Sequence, residues 1–325
     1  MHIEKHLDVI HACRFCFMCR HLDPVGNVTF READTPRGRA LILDRVRMDN
    51  ECLKNPDFIE TMYRSALSAA NRYHCVSHYD ETGLVLAARR DIVEAGLAPA
   101  RVKTLARELG KATFAVKGKG DTLYYGDYPE LYPGCKTITG GDPGKALEVL
   151  GFVEDSQKVF EKFQAAVAAS KCKMLIVAEP SAYDFLKDKL AGIKVVHCSE
   201  YLLSATTKAG AARKVYYLDS DFLKNYDGNP SAPRQLLMQC GYKLVPFGTN
   251  DEESYSVGEG AVVYGDLNPE LCAKLCQRVA ALADNLKRDL FITASRYVKN
   301  TFNKYIPQMN VITIEEAVAN RRKNK

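Results

Sequence analysis

The chain contains no tryptophan, and no stretch of it stays apolar for anything near the roughly 20 residues that cross a bilayer. A helical membrane span is excluded. Charge of one sign is missing too: 45 Lys and Arg interleave with 40 Asp and Glu, for a net +5. A nucleic-acid face needs a basic stripe, and only Arg321–Lys325 offers one, read here as a solvated tail. Eleven cysteines in 325 residues are too few for a disulfide scaffold. The opening MHIEKHLDVIHAC lacks the apolar core of a secretory leader. A reducing, cytoplasmic setting is the expectation.

What is present is a globular composition, 46% hydrophobic, in a chain long enough for two or three domains. The first hundred residues read as helical. Thr35 caps a helix with Pro36 at its first position. Further helices are expected over Asp57–Tyr73, over Gly83–Val93 with a stop at Gly96, and over Pro99–Leu109. From about Ala112 the pattern alternates. Apolar runs at 174–178, 194–197, 215–218, 261–264 and 290–294 read as buried strands, with helices at 155–169, 182–190, 233–240 and 270–285. Such alternation implies parallel sheets with crossover helices. Two units divide near 206–213 and share one ending: a strand, a helix, then Lys194–His197 or Asn310–Thr313. The expected class is α plus α/β, with a helical domain over 1–110 and repeated α/β units over 111–208 and 209–325.

The chemistry concentrates at Cys13, Cys16 and Cys19, in CxxCxxC spacing. Soft thiolates suit iron, and two-residue gaps let one loop wrap a cubane. Zinc also uses CxxC pairs, and His11, His21, His74 and His78 are available to complete such a site. Bacterial two-cluster ferredoxins repeat CxxCxxCxxxCP, and the last cysteine of each motif serves the other motif's cluster. Here Asp23-Pro24 stands where the first motif would end.

A second motif aligns on Cys75. The run Cys75-Val-Ser-His-Tyr-Asp80, then Leu84 and Arg89, follows the usual continuation CPxGxDxxxLxxxxR without gaps. Counting back lands on Ser65, Ser68 and Asn71. Under crossed ligation, Cys13, Cys16, Cys19 and Cys75 form one complete ligand set for a 4Fe–4S cluster. Asp23, Ser65, Ser68 and Asn71 mark a second set with no cysteine left. The competing readings make Asp23 a fourth ligand or leave a three-iron cluster. Hard oxygen is the poorer match to cluster iron, so Cys75 is preferred.

These segments, with Asp34-Thr35-Pro36-Arg37-Gly38-Arg39 between them, resemble the iron–sulfur subunit family of glycolate oxidase and heterodisulfide reductase. The resemblance implies a ferredoxin-like helical domain, two CCG-type repeats, and an electron-transfer subunit working beside a flavoprotein oxidoreductase. It also implies lost cysteines. Ala178–Ala182 and Ala294–Val298 stand where Cys-Pro-x-Cys elements would be, Asp219–Asp221 replaces Asp-Pro-Cys, and Ser256-Val257-Gly258 replaces Cys-Cys-Gly. Tyr125-Gly126-Asp127 stands where a Gly-Cys pair would be. The seven other cysteines read mostly as buried small hydrophobes.

The preferred function is a one-cluster electron-transfer subunit with no catalytic residue of its own. The alternative is a binding or assembly module stapled by the cluster. An enzyme site built from Asp127, Glu179, Asp219 and Asp221 ranks last. The tyrosines at 124, 125, 128 and 132 read as packing, and His197 as a core or capping residue. Glycine-rich 118–121 and 140–145 lack phosphate-loop spacing and read as loops.

Overall fold

The computed structural model describes residues 1–13, 16–205, 213–228, 230–249 and 253–323. Most of the expected division point, 206–212, lies outside them, as do Asn324 and Lys325 of the basic tail. The chain forms two compact units, each assembled from three separate stretches.

The first unit comprises Met1–Lys111, Gly144–Lys158 and Ser256–Leu275. Thr35 caps the Pro36–Met48 helix by accepting from the Gly38 amide at 3.1 Å, as its sequence position predicts. The helix expected over 57–73 ends at Arg64 instead. Residues 65–75 form an irregular loop, buried through Asn71. The reason lies in the backbone: Leu67 and Ala69 take the left-handed conformation at φ 49° and 53°, which no helix accommodates. Arg89 holds the start of this loop. Its buried guanidinium donates to the carbonyls of Met62 at 2.8 Å, Ser65 at 2.9 Å and Val149 at 2.7 Å. Burial pulls its pKa down to about 10, which leaves it charged at neutral pH.

The segment 256–275 closes on the same loop. The Tyr264 hydroxyl donates to Arg64 O at 2.8 Å, and Asn268 Nδ2 donates to Tyr63 O at 2.9 Å. A Cβ on Gly260 would stand 1.9 Å from Leu67 O, so only glycine allows this approach. The strand expected over 261–264 is therefore a turn and a short helix, Tyr264–Leu267. Its apolar run is buried against the 63–67 backbone rather than in a sheet.

The second unit, Ala112–Pro143, Val159–Tyr255 and Cys276–Lys325, carries both sheets. One contains β1 (Phe114–Lys117), β2 (Thr122–Tyr125), β3 (Lys136–Gly140), β4 (Met174–Val177) and β5 (Lys194–His197), in the order β1-β3-β2-β4-β5. The other contains β6 (Arg213–Leu218), β7 (Tyr242–Val245), β8 (Leu290–Thr293) and β9 (Asn310–Thr313), in the order β7-β6-β8-β9. Apart from antiparallel β1, every pairing is parallel. Orders β3-β2-β4-β5 and β7-β6-β8-β9 match strand for strand, so the repeat read from the sequence is a repeat of topology. One apolar core serves both sheets, joining Tyr124, Ile176 and Leu202 to Val215, Leu236 and Ile292. In each repeat the chain leaves after its second strand (β3 or β7) to contribute a stretch to the first unit.

The basic tail is not free. Arg321 donates to Gly241 O at 3.2 Å and lies 4.4 Å from the Tyr242 ring centre, and Arg322 donates to Leu131 O at 3.3 Å. Both belong to the Ile314–Lys323 helix.

Candidate metal centre

Cys13 closes the Leu7–Ala12 helix, and Cys19 lies in the Met18–Leu22 helix. Cys75 ends the irregular loop, its amide bonded to Asn71 O at 2.9 Å. All four sequence-predicted cysteines, Cys13, Cys16, Cys19 and Cys75, line one recess that opens to solvent, with Cys16 exposed. The Cys19 thiol is pushed up to about 11, chiefly by burial, while a hydrogen bond from the Arg37 amide acts the other way. That amide belongs to the first turn of the Pro36–Met48 helix, where backbone N–H groups favour a thiolate. The Arg37 side chain pairs with Glu32 at 2.6 Å and lies 4.5 Å from the Phe17 ring centre.

Four thiols are a donor set that both zinc and iron–sulfur clusters accept. A tetrahedral zinc with bonds near 2.3 Å draws its thiolates to within about 4 Å of one another. Among the described residues, the single His, Cys, Asp and Glu group whose ligand atoms all lie within 4.8 Å is His2, Asp91 and Glu94, not the cysteines. None of His11, His21, His74 and His78 lines the recess, and all four are exposed. His78 has a different role. It stands where the motif continuation writes glycine and takes φ 47°, the conformation glycine would supply. The other motif positions also have physical reasons: Asp80 caps the Glu81–Glu94 helix, Leu84 is fully buried, and Arg89 holds the loop.

Asp23 lies elsewhere, in a network the sequence did not reveal. Its Oδ1 caps the Pro24–Thr29 helix by accepting from Gly26 N at 2.7 Å, and its Oδ2 accepts from Arg39 at 2.6 Å. Arg39, 1% exposed, also donates to Glu81 and to Asp34 O. Ser65 Oγ reaches Glu81 at 3.5 Å. Burial pushes the Glu81 carboxyl up, and Arg39 only partly offsets this. The guanidinium stays charged, since Glu81 and Asp23 together outweigh its own desolvation. Ser68 is buried nearby in sequence but does not line the recess, whereas Asn71 does. Of the four positions read as a lost ligand set, Asp23 and Ser65 meet at an ionic network and Asn71 borders the cysteines.

No family model, curated protein or solved structure matches this chain. The reading of the site therefore rests on its own residues.

In the second unit the carboxylates considered for an enzyme site are engaged. The crevices beyond β2 and β4, and beyond β6 and β8, are where open parallel sheets usually take ligands. Here Glu179 accepts from Ser295 Oγ at 2.7 Å and from the Arg296 amide at 2.9 Å, and Arg296 pairs with Asp127. Asp219 pairs with Arg234 at 2.7 Å. The tyrosines pack as expected. Tyr124 and Tyr132 stack at 4.1 Å and both donate to Glu315, at 2.8 and 2.6 Å. Burial raises Glu315 to about 7. His197 is buried, bonded to Ser199 and Ala178 O, and burial lowers it to about 4.

Five of the seven remaining cysteines are buried, and none of the eleven is in a disulfide. No described helix is long and apolar enough to cross a membrane.

Proposed function

We propose that this chain is an iron–sulfur electron-transfer subunit holding one 4Fe–4S cluster on Cys13, Cys16, Cys19 and Cys75, in a ferredoxin-like helical unit. Its partner is a flavoprotein oxidoreductase, as the family resemblance implies. The observation that carries this reading is the meeting of thiols from two distant segments in one recess, while Asp23 is engaged with Arg39. Bound there, the cluster would supply one-electron chemistry.

The chain's own residues support that role. The Arg37 amide favours charge on Cys19. At the recess Met18 is 52% and Val76 79% exposed, an apolar rim of the kind that protein partners cover. Segments 16–21 and 72–78 contain arginines and histidines but no carboxylate. An acidic partner surface is the complement. The carboxylates at the former cysteine positions of the repeats already serve as caps and ion-pair partners, which favours electron transfer over catalysis in the second unit.

The test is iron and sulfide content with EPR of anaerobically purified wild type and Cys75→Ser. One cluster per wild-type chain, lost or converted in the variant, is expected. Two clusters per chain, or an unchanged spectrum in Cys75→Ser, would refute the ligand set. Reduction of the loaded chain by a flavoprotein that co-purifies with it then tests the partner.

A further inference from the structure

Two polar groups at the recess have no assigned role. Asn71 is 5% exposed and Tyr79 is 4% exposed, and both residues line the recess beside the four cysteines. The Asn71 Nδ2 and the Tyr79 hydroxyl are buried and have no hydrogen-bond partner among the described residues. A buried donor left unpaired is costly, so native proteins keep one where a further group supplies the acceptor. An amide N–H and a phenol O–H are donors. Thiolate and sulfide sulfurs are acceptors, and hydrogen bonds to them are among the levers that set a cluster's potential.

We propose that Asn71 and Tyr79 donate hydrogen bonds to the sulfurs of the cluster held by Cys13, Cys16, Cys19 and Cys75, and so raise its reduction potential. The inference rests on the cluster reading above. Its physical content is a sign. Reduction adds negative charge to the cluster, and donors aimed at sulfur stabilise the more negative state. Asn71 thus trades a ligand position of the lost set for a donor position on the retained one. The Arg37 amide is the existing precedent in the same recess, already bonded to Cys19.

Tyr79→Phe removes one oxygen, and Asn71→Leu removes the amide while keeping the same branched count of heavy atoms. The measurements are iron and sulfide content, an EPR-monitored redox titration, and pulsed EPR after exchange into D2O. Each variant is expected to keep its iron and sulfide. The reduced-to-oxidised ratio at fixed poise should fall several-fold, up to about tenfold, which is 59 mV for a one-electron couple. Each variant should also lose an exchangeable deuteron coupled to the cluster. A merely structural role would lower stability and leave both signatures in place. Fully loaded variants with wild-type potential and unchanged deuteron couplings overturn this proposal alone. Wild type without iron and sulfide overturns the cluster and the proposal together. Should Asn71→Leu fail to fold, Tyr79→Phe decides.

Discussion

Replacing Asp23 with asparagine keeps a residue able to cap the Pro24–Thr29 helix but removes the charge facing Arg39. Breaking a buried pair in this way typically costs about 3–5 kcal/mol. The expected outcome for Asp23→Asn is a large loss of stability in denaturant unfolding with iron per folded chain unchanged. Lost iron in folded protein would instead restore Asp23 as a ligand. Glu315 makes a second prediction at this scale. Its pKa is raised to about 7 from an ordinary value near 4.5, so the folded state binds a proton more tightly than the unfolded state between these values. Its contribution is therefore favourable below the unfolded value and is lost as pH rises through 7. Glu315→Gln should gain on wild type by about 3 kcal/mol between pH 4.5 and 7, read as the difference in unfolding free energy. His197, lowered to about 4, works in the opposite sense: stability falls as pH drops from 6.5 toward 4. It is common to both proteins and cancels in that difference. A gap that stays constant with pH would show that Glu315 is not titrating in this range. The cysteines and Asp23 were legible as residues because ligand spacing is local. The partners of Asp23 were not, since Arg39 and Glu81 reach it only through the fold.

At the scale of elements, one helix start was legible because capping is a matter of neighbours: Thr35 and Pro36 sit where they were expected. Residues 65–73 read as helix because Ala66, Leu67, Ala69, Ala70 and Arg72 are good helix formers. The loop's course is set by Arg89 and by the close approach of Gly260, neither of which is local. Strands β1, β2, β3 and β7 were not identified because their sequences, FAVK, TLYY, KTITG and YKLV, lack the continuous aliphatic run that marked β4. Gly38 supplies the element-scale prediction. In the Pro36–Met48 helix an alanine would ordinarily add stability, but here its Cβ would stand 2.0 Å from Glu32 O. Gly38→Ala should destabilise by about 1–3 kcal/mol, seen as a lower urea midpoint with unchanged slope. A neutral or stabilising result would mean that the turn at Glu32–Asp34 gives way freely.

For the whole molecule, the sequence disclosed the repeat and both sheets but not the excursions. Nothing in the composition of 144–158 or 256–275 marks them as parts of the first unit. Their contribution is a set of backbone hydrogen bonds, from Arg89 to Val149 O and from Tyr264 to Arg64 O. A fragment of residues 1–111 therefore lacks two of the three stretches that build its unit. It should unfold without a sharp transition and load little iron, measured by calorimetry and metal analysis beside the full chain. A fragment that melts cooperatively and loads iron fully would show the excursions to be dispensable.

That threading also has a temporal side. The cysteines at 13, 16, 19 and 75 all precede Lys111, yet the stretch ending at Leu275 that completes their unit follows long after it. At ordinary elongation rates the delay is roughly ten to thirty seconds. During it the nascent chain presents thiols without the finished recess around them. Metal delivered early would meet a flexible thiol cluster, and metal delivered late would meet a formed site, so the order of synthesis and loading becomes a property of the fold itself.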